Sequence, residues 1–167
     1  EWYQTSLWPH SKVDFSNKRV GVIGTGSTAI SSIPVIAKEA ATLTVFQRTA
    51  NFSVPAWNKL LSKKETNYWK MNYVELCDKQ RWSTGGTLVE DNEQSGLEVG
   101  PDVCRQELDR RWNEGGFAML SIFNDLLTNP TVNQWAVDYA HEKIRDIVHD
   151  PVVADLLCPK NHPFGTK

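Results

Sequence analysis

An apolar strand that runs straight into a glycine turn and then a helix constrains this chain more than any other feature. Lys18-Arg19-Val20-Gly21-Val22-Ile23 leads into Gly24-Thr25-Gly26-Ser27-Thr28-Ala29, a GxGxxA string. Gly24 permits the tight turn, Gly26 lets the backbone approach a pyrophosphate closely, and small Ala29 lets the helix pack near the strand. The free N–H groups of the helix's first turn then face the anion. Gly24, Thr25, Gly26, Ser27, Thr28 and Ala29 are therefore candidates for a dinucleotide phosphate cradle.

Glycine strings of this kind also occur in plain turns, so the flanking sequence decides. Arg19 to Ile23 reads as a buried strand and Thr42 to Phe46 as a second one. Between them, Ser27 to Ala40 reads as a helix with Ile30, Ile33, Ile36 and Ala37 on its apolar face and Pro34 expected to bend it. Together they make a βαβ unit of about 30 residues. The end of the second strand selects the dinucleotide. A site for NADH carries Asp or Glu there, about 20 residues past the glycines, to bind the ribose 2′-OH. This chain has Gln47-Arg48-Thr49 and no carboxylate. Arg48 offers a charge-assisted, bidentate pair to a 2′-phosphate, with the Thr49 hydroxyl as a second donor, so NADPH is the expected cofactor.

From Pro55 onward the periodicity is helical. Ser62-Lys63-Lys64-Glu65 is a capping box opening a helix to about Lys79. Arg81 to Gly100 reads as a long loop. A helix after Pro101 should turn Val103, Leu108 and Trp112 inward and close at Gly115-Gly116. Phe117 to Leu127 reads as another helical stretch, followed by a helix from Pro130 or Thr131 to His149. Its stripe of Trp135, Tyr139, Ile144 and Val148 is expected to be core. Asp150-Pro151 supplies an N-cap and a first-position proline for Val152 to Leu157. Trp57 and Trp69 are candidates to line an apolar pocket.

Composition narrows the partners. The net charge of −2 gives no reason to expect nucleic acid or an anionic membrane. No apolar run approaches 18 residues and no signal peptide is evident, so a cytoplasmic location is expected. Cys77, Cys104 and Cys158 read as free thiols. His10, His141, His149 and His162 lack metal-ligand spacing, and His141 and His149 are expected to be solvated.

The residues resemble those of a known family. Trp2-Tyr3-Gln4-Thr5-Ser6-Leu7-Trp8-Pro9-His10, Val13-Asp14-Phe15, the GTGSTA turn and VFQRTANFSVP look like the centre of a Baeyer–Villiger monooxygenase, the flavin enzymes that turn ketones into esters or lactones. Trp8-Pro9 fall on the last two positions of the family's FxGxxxHxxxWP fingerprint, whose Phe and Gly positions precede Glu1. Gln4 stands where that fingerprint has histidine, which keeps hydrogen-bonding capacity but not a charge that changes near neutral pH. The resemblance continues through Gly85-Gly86, Leu97-Glu98-Val99, Trp112-Asn113-Glu114-Gly115-Gly116 and Pro159-Lys160-Asn161-His162-Pro163-Phe164-Gly165-Thr166-Lys167.

That resemblance implies an α/β fold: a partial Rossmann βαβ unit with a small parallel sheet, plus a mainly α-helical inserted subdomain. The implied divisions are residues 1–54 for the NADPH-binding unit, 55–158 for the helical subdomain and 159–167 for a return segment. It also implies FAD in the complete enzyme, yet no second GxGxxG occurs here to hold it. Lys167 matches a lysine that helps bind the 2′-phosphate, and the family's catalytic arginine would be the next residue. The chain is thus expected to recognise NADPH through Gly24, Thr25, Gly26, Ser27, Thr28, Ala29, Arg48, Thr49 and Lys167 and to lack oxygenase turnover by itself. Two alternatives stay open: a redox-silent relative that binds or converts an apolar ligand without flavin, and an interaction module docking on a flavoprotein. Few later segments read as strands, so the far edge of the first strand is expected to be uncovered and open to homodimer formation.

Overall fold

The structure is a computed structural model that describes every residue except Thr84 and Lys167. After a short 3₁₀ turn at Thr5–Leu7, strand β1 (Arg19–Ile23), helix α1 (Ser27–Glu39) and strand β2 (Thr42–Phe46) form the βαβ unit. The strands pair in parallel, from Arg19 opposite Thr42 to Ile23 opposite Phe46. The expected α/β class holds, with both strand spans as anticipated and a two-stranded sheet. Of the apolar face proposed for α1, Ile36 is buried, whereas Ile30 and Ala37 are exposed.

The remaining helices are α2 (Lys63–Met71), α3 (Tyr73–Trp82), α4 (Gly96–Val99), α5 (Pro101–Glu114), α6 (Pro130–Ile147) and α7 (Pro151–Leu157). The core lies here, built from Cys104 and Leu108 of α5, Met119, Ile122, Phe123 and Leu126 of the following connection, and Val132, Ala136, Val137, Tyr139 and Ala140 of α6. Phe164 closes it from the C-terminal segment. Asn133 holds that closure: its Nδ2 donates to the carbonyls of Leu126 at 3.0 Å and Phe164 at 3.1 Å, and its Oδ1 accepts from the Phe164 N–H at 2.9 Å.

Several elements differ from the sequence reading, each for an identifiable reason. The capping box at Ser62 is present, but its helix ends at Met71 instead of continuing to Lys79. Asn72 leaves helical geometry (φ −107°, ψ 15°) while its side chain donates to the Tyr68 carbonyl at 2.8 Å, a local competition typical of asparagine. The expected loop from Arg81 to Gly100 contains the end of α3 and the single turn α4. Asp125, distant in sequence, accepts there from Ser95 Oγ, Gly96 N and Leu97 N at 2.7, 2.7 and 3.3 Å. Burial works to raise the Asp125 pKa, but these bonds together hold it below its usual value.

Phe117 to Leu127 is not a continuous helix. A 3₁₀ turn at Gly116–Leu120 gives way to turns whose polar groups bond to another segment: Ser121 Oγ donates to Asp91 at 2.8 Å, Asn124 N to the Gln94 carbonyl at 3.1 Å, and Asn92 Nδ2 to the Ile122 carbonyl at 2.8 Å. On α5, Cys104, Leu108 and Arg111 face inward, while Val103 is exposed and Trp112 half-buried. Arg111 is accommodated because Glu107 accepts from its Nε at 2.9 Å and the Glu90 carbonyl from its Nη2 at 3.0 Å. On α6, Tyr139 is buried and Trp135 packs against the core, but Ile144 and Val148 are only half-buried and the helix ends at Ile147. Helix α7 and its Asp150 cap stand as expected, with Asp150 accepting from Val152 N and Val153 N.

The three cysteines are free thiols. Burial pushes the Cys104 thiol up to about 11, with the Asp125 charge adding to the effect. Among the described residues no helix is long and apolar enough to cross a membrane, and no group of three or more metal-ligating side chains is gathered.

Candidate functional site

The glycine turn sits where β1 ends. Gly24 has φ +94°, a conformation that a side chain rarely adopts, and its N–H donates to the Phe46 carbonyl at 2.8 Å. This bond pins the turn to the end of β2. Gly26 then precedes α1 in extended geometry, and no side chain caps the helix. The first-turn N–H groups at Ser27, Thr28 and Ala29 are the orphan donors of that end. A Cβ built on Gly24 or Gly26 would meet no atom within 4 Å, so the space above the turn is open. Such an open, uncapped, partly positive end fits a pyrophosphate.

That space continues into a cavity of about 790 Å³, within the range of cofactor sites. Gly24, Gly26, Ser27, Thr28 and Ala29 form one part of its wall, and Lys18 and Arg19 bring positive charge to it. The N-terminal segment supplies a further part of the wall. Tyr3, Trp8 and Phe15 line it as a chain of tilted rings with centroids 5.6 and 6.3 Å apart. Gln4 is on the same wall, its backbone carbonyl accepting from Leu7 N at 2.9 Å.

Thr25, Arg48 and Thr49 stand outside the cavity wall but beside the turn. Thr25 Oγ1 donates to the Thr49 carbonyl at 3.4 Å. Arg48 is exposed, and its guanidinium has no hydrogen bond or ion pair among the described residues. An arginine two residues beyond β2, with no partner for its head group among the described residues, is available to an anion. Lys167 lies outside the described residues.

Sequence reasoning missed how the segment carrying Arg48 is held. Gln47 Nε2 donates to the Leu156 carbonyl at 2.8 Å. The Phe52 ring stacks on His141 at 6.1 Å and meets His162 and Phe164 edge-on at 5.5 and 5.1 Å. His141 is accordingly half-buried and not solvated, with its Nε2 2.8 Å from the Pro159 carbonyl. Further along, the Pro55 carbonyl accepts from Gly116 N at 2.7 Å, and a Cβ on Gly115 would strike that carbonyl at 2.6 Å. Trp57 and Trp69 line neither the cavity nor the core; Trp57 Nε1 instead donates to the Trp112 carbonyl at 2.8 Å. These contacts join residues far apart in sequence, and nothing short of tertiary structure signals them.

No family model matches the chain. A Baeyer–Villiger monooxygenase of Pseudooceanicola batsensis is 36% identical over 159 residues, covering 94% of this chain and 29% of the relative. Among solved structures, an oxidised steroid monooxygenase bound to NADP shares 47% identity with a TM-score of 0.90 over 98% of this chain and 31% of its own. OTEMO in complex with FAD and NADP shares 34% identity with a TM-score of 0.89, over 99% and 31% respectively. The first of these structures holds NADP and the second both FAD and NADP. In sequence and fold the chain matches a segment of the Baeyer–Villiger monooxygenase family along its whole extent, and it spans about a third of the length of the curated relatives it matches.

Proposed function

We propose that this chain is the NADPH-recognising and helical portion of a Baeyer–Villiger monooxygenase. Residues 1–54 would carry the nucleotide unit, 55–158 the helical subdomain and 159–167 the return toward the nucleotide unit. The uncapped start of α1 over the open glycine turn carries the reading, together with the free guanidinium of Arg48 beside it. In this arrangement the N–H groups of Ser27, Thr28 and Ala29 bind the pyrophosphate, Gly24 and Gly26 give it room, and Thr25 steadies the Thr49 backbone. Arg48 and the Thr49 hydroxyl take the 2′-phosphate, with Lys167 as a further cation. Bound NADPH supplies hydride and, in the complete enzyme, FAD supplies the oxygen chemistry.

The described residues contain no second glycine cradle, so residues 1–167 are expected to bind NADPH without oxidising ketones. Baeyer–Villiger oxidation of a ketone to an ester or lactone would belong to the complete enzyme, in the cytoplasm.

Parallel calorimetric titrations with NADPH and NADH test the reading. We expect NADPH to bind more tightly and Arg48→Ala to lose about 1.5–3 kcal/mol of NADPH affinity, the worth of hydrogen bonds to a charged group, with NADH nearly unaffected. Equal affinity for both nucleotides in the parent chain, or no binding at millimolar concentration, would overturn it.

A second reading is favoured by the open edge of β1, whose apolar Ile23 is almost fully exposed. That edge would receive the flavin-bearing part of the enzyme or a second copy of this chain. Sedimentation of the chain alone distinguishes these, since self-association appears without a flavoprotein present.

A further inference from the structure

We propose that the helical subdomain sets the coenzyme preference of the nucleotide site, acting through Gln47 and Phe52 as positioning residues for Arg48 and Thr49. This rests on the assignment of Arg48 and Thr49 to the 2′-phosphate, and adds how those two are held.

The two residues leave β2 on a segment with little support from the sheet. The register ends at Phe46, and from the glycine turn the segment receives one bond, Thr25 Oγ1 to the Thr49 carbonyl at 3.4 Å, which is long. The firmer attachments come from the other unit and bracket the pair. On the N-terminal side, Gln47 Nε2 reaches the Leu156 carbonyl at the end of α7 at 2.8 Å, across 109 residues of sequence. On the C-terminal side, Phe52 sits between His141 of α6 and His162 and Phe164 of the return segment. Phe164 is itself clasped to α6 by Asn133. Four residues therefore hang between two anchor points on the helical unit, and Arg48 and Thr49 are the first two of them.

Polar satisfaction points to the same place. Among the described residues, the buried side-chain atoms without a hydrogen-bond partner are Asn51 Oδ1 and His162 Nε2, both adjoining Phe52 in sequence or in contact. The other buried side-chain polar atoms of the described residues are paired, so this bridge retains capacity to rearrange its hydrogen bonds when its occupant changes. Bidentate recognition of a phosphate depends on the direction of the guanidinium plane, and a small shift of the backbone that carries it weakens the pair. NADH lacks the 2′-phosphate and is insensitive to that direction.

The decisive quantity is the ratio of NADPH to NADH affinity, measured by calorimetry on the full chain and on Phe52→Ala, Phe52→Leu, Gln47→Ala and Arg48→Ala. A merely structural loss lowers the folded fraction and reduces both affinities alike, leaving the ratio unchanged. Misplacement of Arg48 lowers the ratio. We expect Phe52→Ala to cut it by about tenfold and Gln47→Ala by about threefold, against about thirtyfold for Arg48→Ala, with Phe52→Leu recovering part of the loss. An unchanged ratio in Phe52→Ala and Gln47→Ala beside a lowered one in Arg48→Ala would overturn the positioning role and leave the phosphate assignment intact.

If Arg48→Ala itself leaves the ratio unchanged, the phosphate assignment fails. The anchoring is then judged without nucleotide, by hydrogen exchange of the Arg48, Thr49 and Asn51 amides. These should exchange at least several-fold faster in Phe52→Ala than in the parent, and equal rates would refute the anchoring as well.

Discussion

The βαβ unit and the helical unit obey different physics, although one chain builds both. Among the described residues before Gly96, Ile36 alone is buried; from Gly96 onward a continuous core forms. Ile23 is 89% exposed and Phe46 58%, whereas Phe123 is 3%. The βαβ unit takes its shape from local rules: β-branched strands, a glycine with positive φ, and a helix start without a side-chain cap. The helical unit takes its shape from packing. A parallel strand pair is ordinarily covered on both faces, so the exposed apolar residues here form a surface suited to association. The proposed recognition site lies in the unit with little buried surface, and the unit that carries the core is tied to it through the segment from Gln47 to Trp57.

The strongest challenge to this contrast is a pair of truncations of similar kind. Phe123→Ala is expected to cost about 3–5 kcal/mol, since it leaves a void in a packed core. Ile23→Ala, on the open edge, is expected to change stability by less than about 0.5 kcal/mol. Urea denaturation followed by tryptophan fluorescence measures both, and comparable losses would erase the distinction between the units.

Asn133→Ala probes the clasp between α6 and the return segment. It removes three hydrogen bonds and leaves the buried Phe164 N–H unpaired. The expected cost is about 1–3 kcal/mol, with faster amide exchange at residues 159–166. Full retention of protection there would mean that Phe164 is held by apolar packing alone.

Gly24→Ala sharpens the contrast from the other side. The added methyl meets nothing within 4 Å, so any cost comes from the +94° φ and is about 1–2 kcal/mol. Because the unit is not the seat of the core, we expect the main urea midpoint to move little while NADPH affinity falls at least tenfold. A large shift of the midpoint with intact binding would show that the two units unfold as one.

How far the sequence revealed the molecule follows the same division. The strands and the glycine turn were legible because each is dictated by neighbours within a few residues. So were the caps at Ser62 and Asp150, whose partners lie one turn away. The inner faces of α5 and α6 were legible only in part: Leu108 and Tyr139 are buried and Trp112 and Trp135 pack against the core as expected, whereas Val103, Ile144 and Val148 do not join it. Arg111 looks like a surface residue until Glu107 and the Glu90 carbonyl are seen to satisfy it, and α6 also buries Asn133, Ala136 and Ala140, which periodicity did not single out. At the candidate site, residue types pointed to the glycine turn and to Arg48, which the structure places beside each other through the Thr25–Thr49 bond. The anchoring by Gln47 and Phe52 depends on partners about 90 to 110 residues away and leaves no local trace.

The smallest effect belongs to a local device within the helical part, and it tests whether local rules operate there too. Helix α2 contains no buried residue and starts at the Ser62 capping box, where Glu65 N donates to Ser62 Oγ at 3.1 Å and Ser62 N donates to Glu65 Oε2 at 2.8 Å. Hydrogen bonds with Ser62, followed by the Lys59 ammonium at 3.0 Å, hold the Glu65 carboxyl down at about 2, against 4.5 for a free glutamate. A carboxyl with a lowered folded-state pKa stabilises the helix fully above pH 4.5. That contribution fades as pH falls toward about 2, where the folded form also takes up its proton. Backbone chemical shifts of residues 63–71 should therefore lose helical character over this window in the parent chain. Ser62→Ala should lower the helix's stability by about 1 kcal/mol at neutral pH and flatten the acid transition. The Lys59 arm is exposed and screened by salt, so raising ionic strength should weaken the effect only in part. A helix indifferent to all three changes would owe its form to tertiary contacts, and the local mode of construction would then stop at β2.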